Sequence, residues 1–141
     1  MLIEVGARAH GGEGTFIPIA NACVGYNQVD ATLDALLDAE QWETFPDTPD
    51  HLLAHGCLAI LVSYQRGILH SMPGFVEIEN FSSFVSKEIF VKDGQELYPT
   101  INLFTAPASV MLVHKEVTVL ENHLDRIREL EHSGLFQLKN L

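Results

Sequence analysis

The chain has 141 residues, 47% of them apolar and 19% charged, with 8 Lys and Arg against 19 Asp and Glu, a formal charge of −11. A chain of this length can bury a core of its own without a disulfide or metal staple, and so acidic a balance repels phosphate backbones and anionic lipid, which argues against nucleic acid and membrane surfaces as partners. Cys23 and Cys57 are too few for a disulfide framework and read as small apolar residues of a reduced, cytoplasmic protein, a disulfide between them being the alternative. The longest apolar run, residues 57–62, is far shorter than the roughly 20 residues of a membrane span, and Met1 to Glu4 lacks the pattern of a signal peptide.

Charge is unevenly placed. Up to residue 65 the only basic side chain is Arg8, set among Glu4, Glu13 and seven acids from Asp30 to Asp50; the other seven Lys and Arg begin at Arg66. Leu2 to Ala7 reads as a strand from the middle of a sheet. A glycine loop over residues 9–14 follows, where Gly11, Gly12 and Gly14 permit positive φ and close backbone approach to a ligand. Residues 15–24 form an expected helix with Pro18 in its first turn, ended by Gly25. Asn27 is placed to cap a second helix, with Asp30 completing a capping box and Val29, Leu33, Leu36 and Leu37 at helical spacing. Asp30, Asp34 and Asp38 share the opposite face, which reads as solvated rather than cation-binding. Residues 42–50, with two prolines and three acids, form a surface connection between a helical and a β-rich half.

One more helical turn is expected over residues 51–55. Strands are expected at 58–64 and 68–72, paired as a hairpin about Arg66-Gly67. Residues 75–81 read as a short link, 83–92 as a strand closed by the Asp93-Gly94 turn, and 109–113 as a fourth strand. Residues 115–132 carry the clearest helical period, Val117, Leu120, Leu124, Ile127 and Leu130, with Ser133-Gly134 as C-cap. The expectation is a single α+β domain over 1–141: a strand and glycine loop (1–14), a helical segment (15–50), and an antiparallel meander with a closing helix (51–141).

Alternation along the first strand puts Glu4, Gly6 and Arg8 on one face, so a carboxylate and a guanidinium look into the same space. Mg²⁺ takes carboxylate oxygens together with substrate phosphates, and Arg offers a bidentate fork to phosphate or carboxylate. The pair suits an anionic nucleotide; the alternative is an ion pair closing the strand end.

The segment Glu4-Val5-Gly6-Ala7-Arg8-Ala9-His10-Gly11-Gly12 resembles the glutamate-x-asparagine-x-arginine strand of ATP-grasp enzymes, and within them the carboxylate–amine ligases of the L-amino acid ligase and carnosine synthase type. Gly25 to Asp30, Tyr64 to Ile68, Val91 to Gly94 and the closing helix resemble them in order and spacing. The resemblance implies ATP and Mg²⁺ as cofactors, with Glu4 a ligand to Mg²⁺ and Arg8 binding the nucleotide phosphates and acting catalytically on the transferred phosphoryl group. His10, Gly11 and Gly12 would contact the substrate. The implied reaction joins a small carboxylate to an amine through an acyl phosphate. Gly6 departs from the pattern where many members have an asparagine metal ligand.

The lysine-bearing nucleotide clamp of such enzymes would precede this strand. The chain is therefore expected to be the C-terminal portion of a ligase, inactive alone and completed by an ATP-binding portion, or else to associate with copies of itself. The competing expectation is a non-catalytic assembly module with an apolar surface around Leu2, Ile3 and Val5.

Other residues support rival chemistry less. His10 and Glu13 are three apart, but zinc would need further ligands such as His51, His55 or His70 brought in by the fold. His70 and Ser71 are candidates for substrate contact because the corresponding hairpin region packs towards the substrate in the ligases the chain resembles. Ser71, Ser82, Ser83 and Ser86 lack a nucleophile-elbow motif, and His114, His123 and His132, nine apart, read as surface residues.

Overall fold

The computed structural model describes residues 12–46, 48 and 51–139. The chain divides into two compact units, Met1–Ala54 and His55–Leu141. The expected strand at 2–7, with Glu4 and Arg8, lies outside the described residues.

The first unit is helical. A 3₁₀ turn at Gly12–Gly14 leads to α1 (Ile17–Val24), which has proline in its opening turn and stops at Gly25, φ +88°. That left-handed conformation is one glycine adopts without a Cβ clash, so the helix ends there. α2 (Gln28–Leu37) is capped by Asn27, whose Oδ1 accepts the Val29 and Asp30 N–H groups, each at 3.0 Å. Asp30 closes this cap differently from a capping box: its carboxylate accepts the Asn27 side-chain amide at 2.7 Å, and that amide also donates to Asn21 Oδ1 at 2.9 Å. With its polar atoms engaged, Asn27 is only 4% exposed. Asp38 caps α3 (Ala39–Trp42) through the Gln41 N–H, so two of the three stripe aspartates serve as helix-start acceptors. Residues 51–54 form no helical turn; the Leu53 N–H donates to the Cys23 carbonyl at 2.8 Å and fastens this segment to α1.

In the second unit β1 (His55–Ile60), β3 (Phe84–Ile89) and β5 (Ala108–His114) make an antiparallel sheet in the order β1-β5-β3. β2 (Gly67–Ser71) is flanked by the two-residue strands β4 (Glu96–Leu97) and β6 (Gln137–Leu138). α4 (Phe75–Ile78) and α5 (Val117–His132) complete it. The fold is thus α+β with antiparallel sheets and flanking helices, as expected, but its strand order is not consecutive. β1 pairs with β5, from His55 opposite His114 to Ile60 opposite Ser109, and β2 pairs elsewhere, so the expected hairpin is absent. The reason is local. After Leu61 the chain leaves the ladder, because the Val62 N–H is taken by Glu131 Oε1 at 2.8 Å and the Ser63 N–H by Thr100 Oγ1 at 3.0 Å.

The core gathers Val110 and Leu112 of β5, Ala59 of β1, Leu61, Leu69, Ile78 and Leu97, roofed by Leu120, Ile127 and Leu130 of α5. Each fully buried leucine or isoleucine adds about 2 kcal/mol by leaving water. Gly74 permits a close approach: a Cβ there would lie 2.8 Å from the Leu135 Cα and 3.1 Å from the Gly134 carbonyl oxygen. No helix among the described residues is long and apolar enough to cross a membrane.

Candidate functional site

Of the sequence-predicted site residues, Glu4, Arg8, His10 and Gly11 lie outside the described residues, and Gly12 lies within them. Gly12 has φ +52° and opens the 3₁₀ turn, its carbonyl accepting the Thr15 N–H at 3.0 Å. The Phe16 ring covers it so closely that a Cβ would sit 2.5 Å from a ring carbon. Space and backbone conformation therefore both demand glycine here. Phe16, at the N-cap of α1, provides no side-chain cap to that helix.

Positive charge in the second unit is mostly spent. Arg66 pairs with Glu96 at 3.2 Å, Lys87 with Glu79, Arg126 with Glu77 and Glu129 at 2.6 and 2.7 Å, Arg128 with Glu131 at 2.5 Å, and Lys139 with Asp93 at 3.5 Å. Lys92 and Lys115 are the described basic residues outside these pairs. The Arg126 pairing holds the Glu77 carboxyl below its ordinary range, and the Tyr98 hydroxyl with Arg66 does the same for Glu96. These are exposed contacts of small energetic weight.

Two polar clusters were not legible from spacing alone. The fully buried Ser83 hydroxyl lies 2.8 Å from His123 Nδ1, and the imidazole stacks on Phe81 with centroids 4.3 Å apart. Burial, with a smaller effect from His114, lowers the His123 pKa. His123 is therefore a half-buried packing residue rather than a surface one. Its distances of three from Leu120 and four from Ile127 place it on the inward stripe of α5, a signal that its spacing to the other histidines hides. No carboxylate is hydrogen-bonded to this imidazole among the described residues, and Ser83 is closed to solvent, so the pair is no nucleophile.

The second cluster centres on Glu131, whose side chain is 1% exposed. Oε1 accepts from the Val62 N–H and from Arg128, which also donates to the Ile60 carbonyl at 3.1 Å; the buried Oε2 has no partner among the described residues. Burial outweighs these contacts and raises the carboxyl pKa. Ionising Glu131 is therefore costlier in the folded chain than in the unfolded one, and its contribution to stability falls as pH rises from the ordinary carboxylate range through the raised folded value. Urea unfolding of wild type and Glu131→Gln between pH 4 and pH 7 checks this, since the other carboxylates cancel in the comparison. The stability of wild type relative to the variant is expected to decrease with pH; an increase would contradict the assignment.

Both cysteines are free and half-buried, and burial raises both thiol pKa values, the effect at Cys57 partly offset by Arg128. Among the described residues no three His, Cys, Asp or Glu side chains converge to hold a metal ion. A cavity of about 420 Å³ lies between β2, α4, β3 and the turn at residues 91–93, with His70, Ser71, Lys87 and Lys92 on its lining.

No protein-family model matches the chain, and no curated protein matches it. Among solved structures, the L-amino acid ligase from Bacillus licheniformis is similar, with a TM-score of 0.73 and 23% identity, covering 99% of this chain and 33% of the ligase. The chain thus spans about a third of that protein's length. What this likeness establishes is the fold: the α+β arrangement of the chain is found in part of that ligase.

Proposed function

We propose that the chain contributes the C-terminal portion of an ATP-grasp ligase that joins a small carboxylate to an amine through an acyl phosphate. The observation that carries this reading is the fold likeness over 99% of the chain to an L-amino acid ligase, supported by the Glu4 to Gly12 segment. In this reading Glu4 holds Mg²⁺ and Arg8 grips the phosphoryl group as it transfers and the acyl phosphate that results. ATP supplies that group, and Mg²⁺ neutralises its phosphates. Catalysis of this transfer rests on positioning and charge neutralisation, which a carboxylate-held metal and a guanidinium provide.

In this reading His10, Gly11 and Gly12 contact the substrate, the glycines through backbone N–H groups that a bare Cα leaves approachable. Five of the seven described Lys and Arg are committed to carboxylates, and in this reading the lysine clamp on the triphosphate comes from another portion. The purified chain, given ATP, Mg²⁺, an amino acid and an amine, is accordingly expected to release no ADP. Release of ADP by the chain alone, lost in Arg8→Ala, would overturn the division of labour.

A second reading, a non-catalytic assembly module, is favoured by α2, where Leu36 and Leu37 are 76% and 81% exposed. In that case Glu4→Gln leaves every function of the assembly intact, whereas in the ligase it abolishes turnover.

A further inference from the structure

The cavity between β2, α4, β3 and the turn at residues 91–93 is lined wholly by residues of the second unit and by none of the site residues of the ligase reading. Its volume of about 420 Å³ falls within the range of small-molecule sites. Its floor and walls are apolar: Phe75 is buried, and Met72, Ile89 and Val91 are half-buried. The Lys87 ammonium is 4.8 Å above the Phe75 ring centroid and is neutralised by Glu79.

Lys92 differs. It lines the cavity and makes no ion pair among the described residues. Asp93 lines the cavity beside it, its carboxylate paired with Lys139 at 3.5 Å. The turn carrying Lys92 is held in place. Gln95 Oε1 accepts the Lys92 N–H at 2.7 Å, and the Gln95 N–H returns to the Lys92 carbonyl at 3.0 Å. The Gly94 N–H donates to the Leu69 carbonyl and the Leu69 N–H to the Gln95 carbonyl, both at 2.9 Å. Gly94 adopts φ +83° to make this possible. In a chain of charge −11, a lysine on an anchored turn beside apolar walls, with Lys87 neutralised by Glu79, Asp93 by Lys139, and His70 on the same lining, leaves that lining one positive charge in excess. It complements one negative charge next to an apolar body.

We propose that this cavity binds a small monocarboxylate with an aliphatic or aromatic body, the carboxylate on Lys92 and His70 and the body over Phe75, Ile89 and Val91. One uncompensated ammonium matches a carboxylate; an inorganic phosphate would leave the apolar walls unused.

The test is titration of the full 141-residue chain with 3-phenylpropionate, followed by backbone amide NMR, with 3-phenylpropan-1-ol and inorganic phosphate as comparison probes. Saturable shifts confined to residues 69–75 and 87–93 are expected, at least tenfold weaker for the alcohol and for phosphate. Lys92→Gln, an exposed change, is expected to weaken 3-phenylpropionate at least tenfold, while Lys115→Gln, at the other lysine without an ion pair, leaves it unchanged. Absence of saturation, shifts centred elsewhere, equal binding of alcohol or phosphate, or an unaltered affinity in a folded Lys92→Gln would each overturn the proposal.

Discussion

Arg8→Ala is expected to lower ATP-dependent ligation by on the order of a thousand-fold in the completed enzyme, with little change in the apparent KM for ATP. An arginine that stabilises charge on a transferring phosphoryl group acts mainly in the transition state, and such groups contribute on the order of 10³-fold or more to rate. Glycines follow this side chain at Gly11 and Gly12, and no other Lys or Arg occurs before Arg66, so no neighbour in sequence replaces it. Arg8→Lys keeps the charge and loses the bidentate fork, and is expected to recover only a small part of the rate. Steady-state ADP release checks both variants. An Arg8→Ala enzyme within tenfold of wild type would remove Arg8 from the chemistry, and a change in KM alone would make it a ground-state contact.

The largest effect on stability is expected from Leu112→Ala. Leu112 is fully buried on the central strand β5, opposite Cys57 of β1 and Phe84 of β3. Its loss removes buried methyl groups at the crossing of both strand pairs and leaves a cavity that the sheet cannot close by moving one strand. Such truncations cost about 2–5 kcal/mol. Hydrogen exchange of the β5 amides in wild type and variant measures the change directly. A cost below about 1 kcal/mol would show that β5 is not the centre of the second unit.

The elements that were legible in the sequence are those whose signal is local. The three- and four-residue spacing from Val117 to Leu130 marked α5, and Leu120, Ile127 and Leu130 are the residues it buries. Asn27 marked the start of α2 because a short amide at that position satisfies two otherwise unpaired N–H groups. Asp93-Gly94 marked a turn because only a residue tolerant of positive φ fits there.

Pairing across distance was not legible. β1 and β5 are separated by nearly fifty positions, and β4 and β6, at two residues each, are too short to carry a period. The expected hairpin failed because Glu131 and Thr100, remote in sequence, take the Val62 and Ser63 amides. Glu131 carries no signal of its burial, since nothing nearby in sequence shows that its carboxylate meets a departing strand. The candidate site residues Glu4, Arg8, His10, Gly11 and Gly12 stood out through chemistry and spacing; of these five only Gly12 lies within the described residues, where φ +52° and the Phe16 ring account for the choice of glycine. The cavity at Lys92 was hidden because four separate segments build it.

The most direct test of carboxylate activation by this protein is isotope transfer. The chain, isolated from its source with any polypeptide joined to it, is given ATP, Mg²⁺, an amine and a carboxylate labelled with ¹⁸O in both oxygens, and the released phosphate is analysed by mass. An acyl phosphate route moves one labelled oxygen from carboxylate to phosphate, with ADP as the nucleotide product, and Glu4→Gln abolishes both. Unlabelled phosphate, release of AMP and pyrophosphate, or transfer that survives Glu4→Gln would contradict the account.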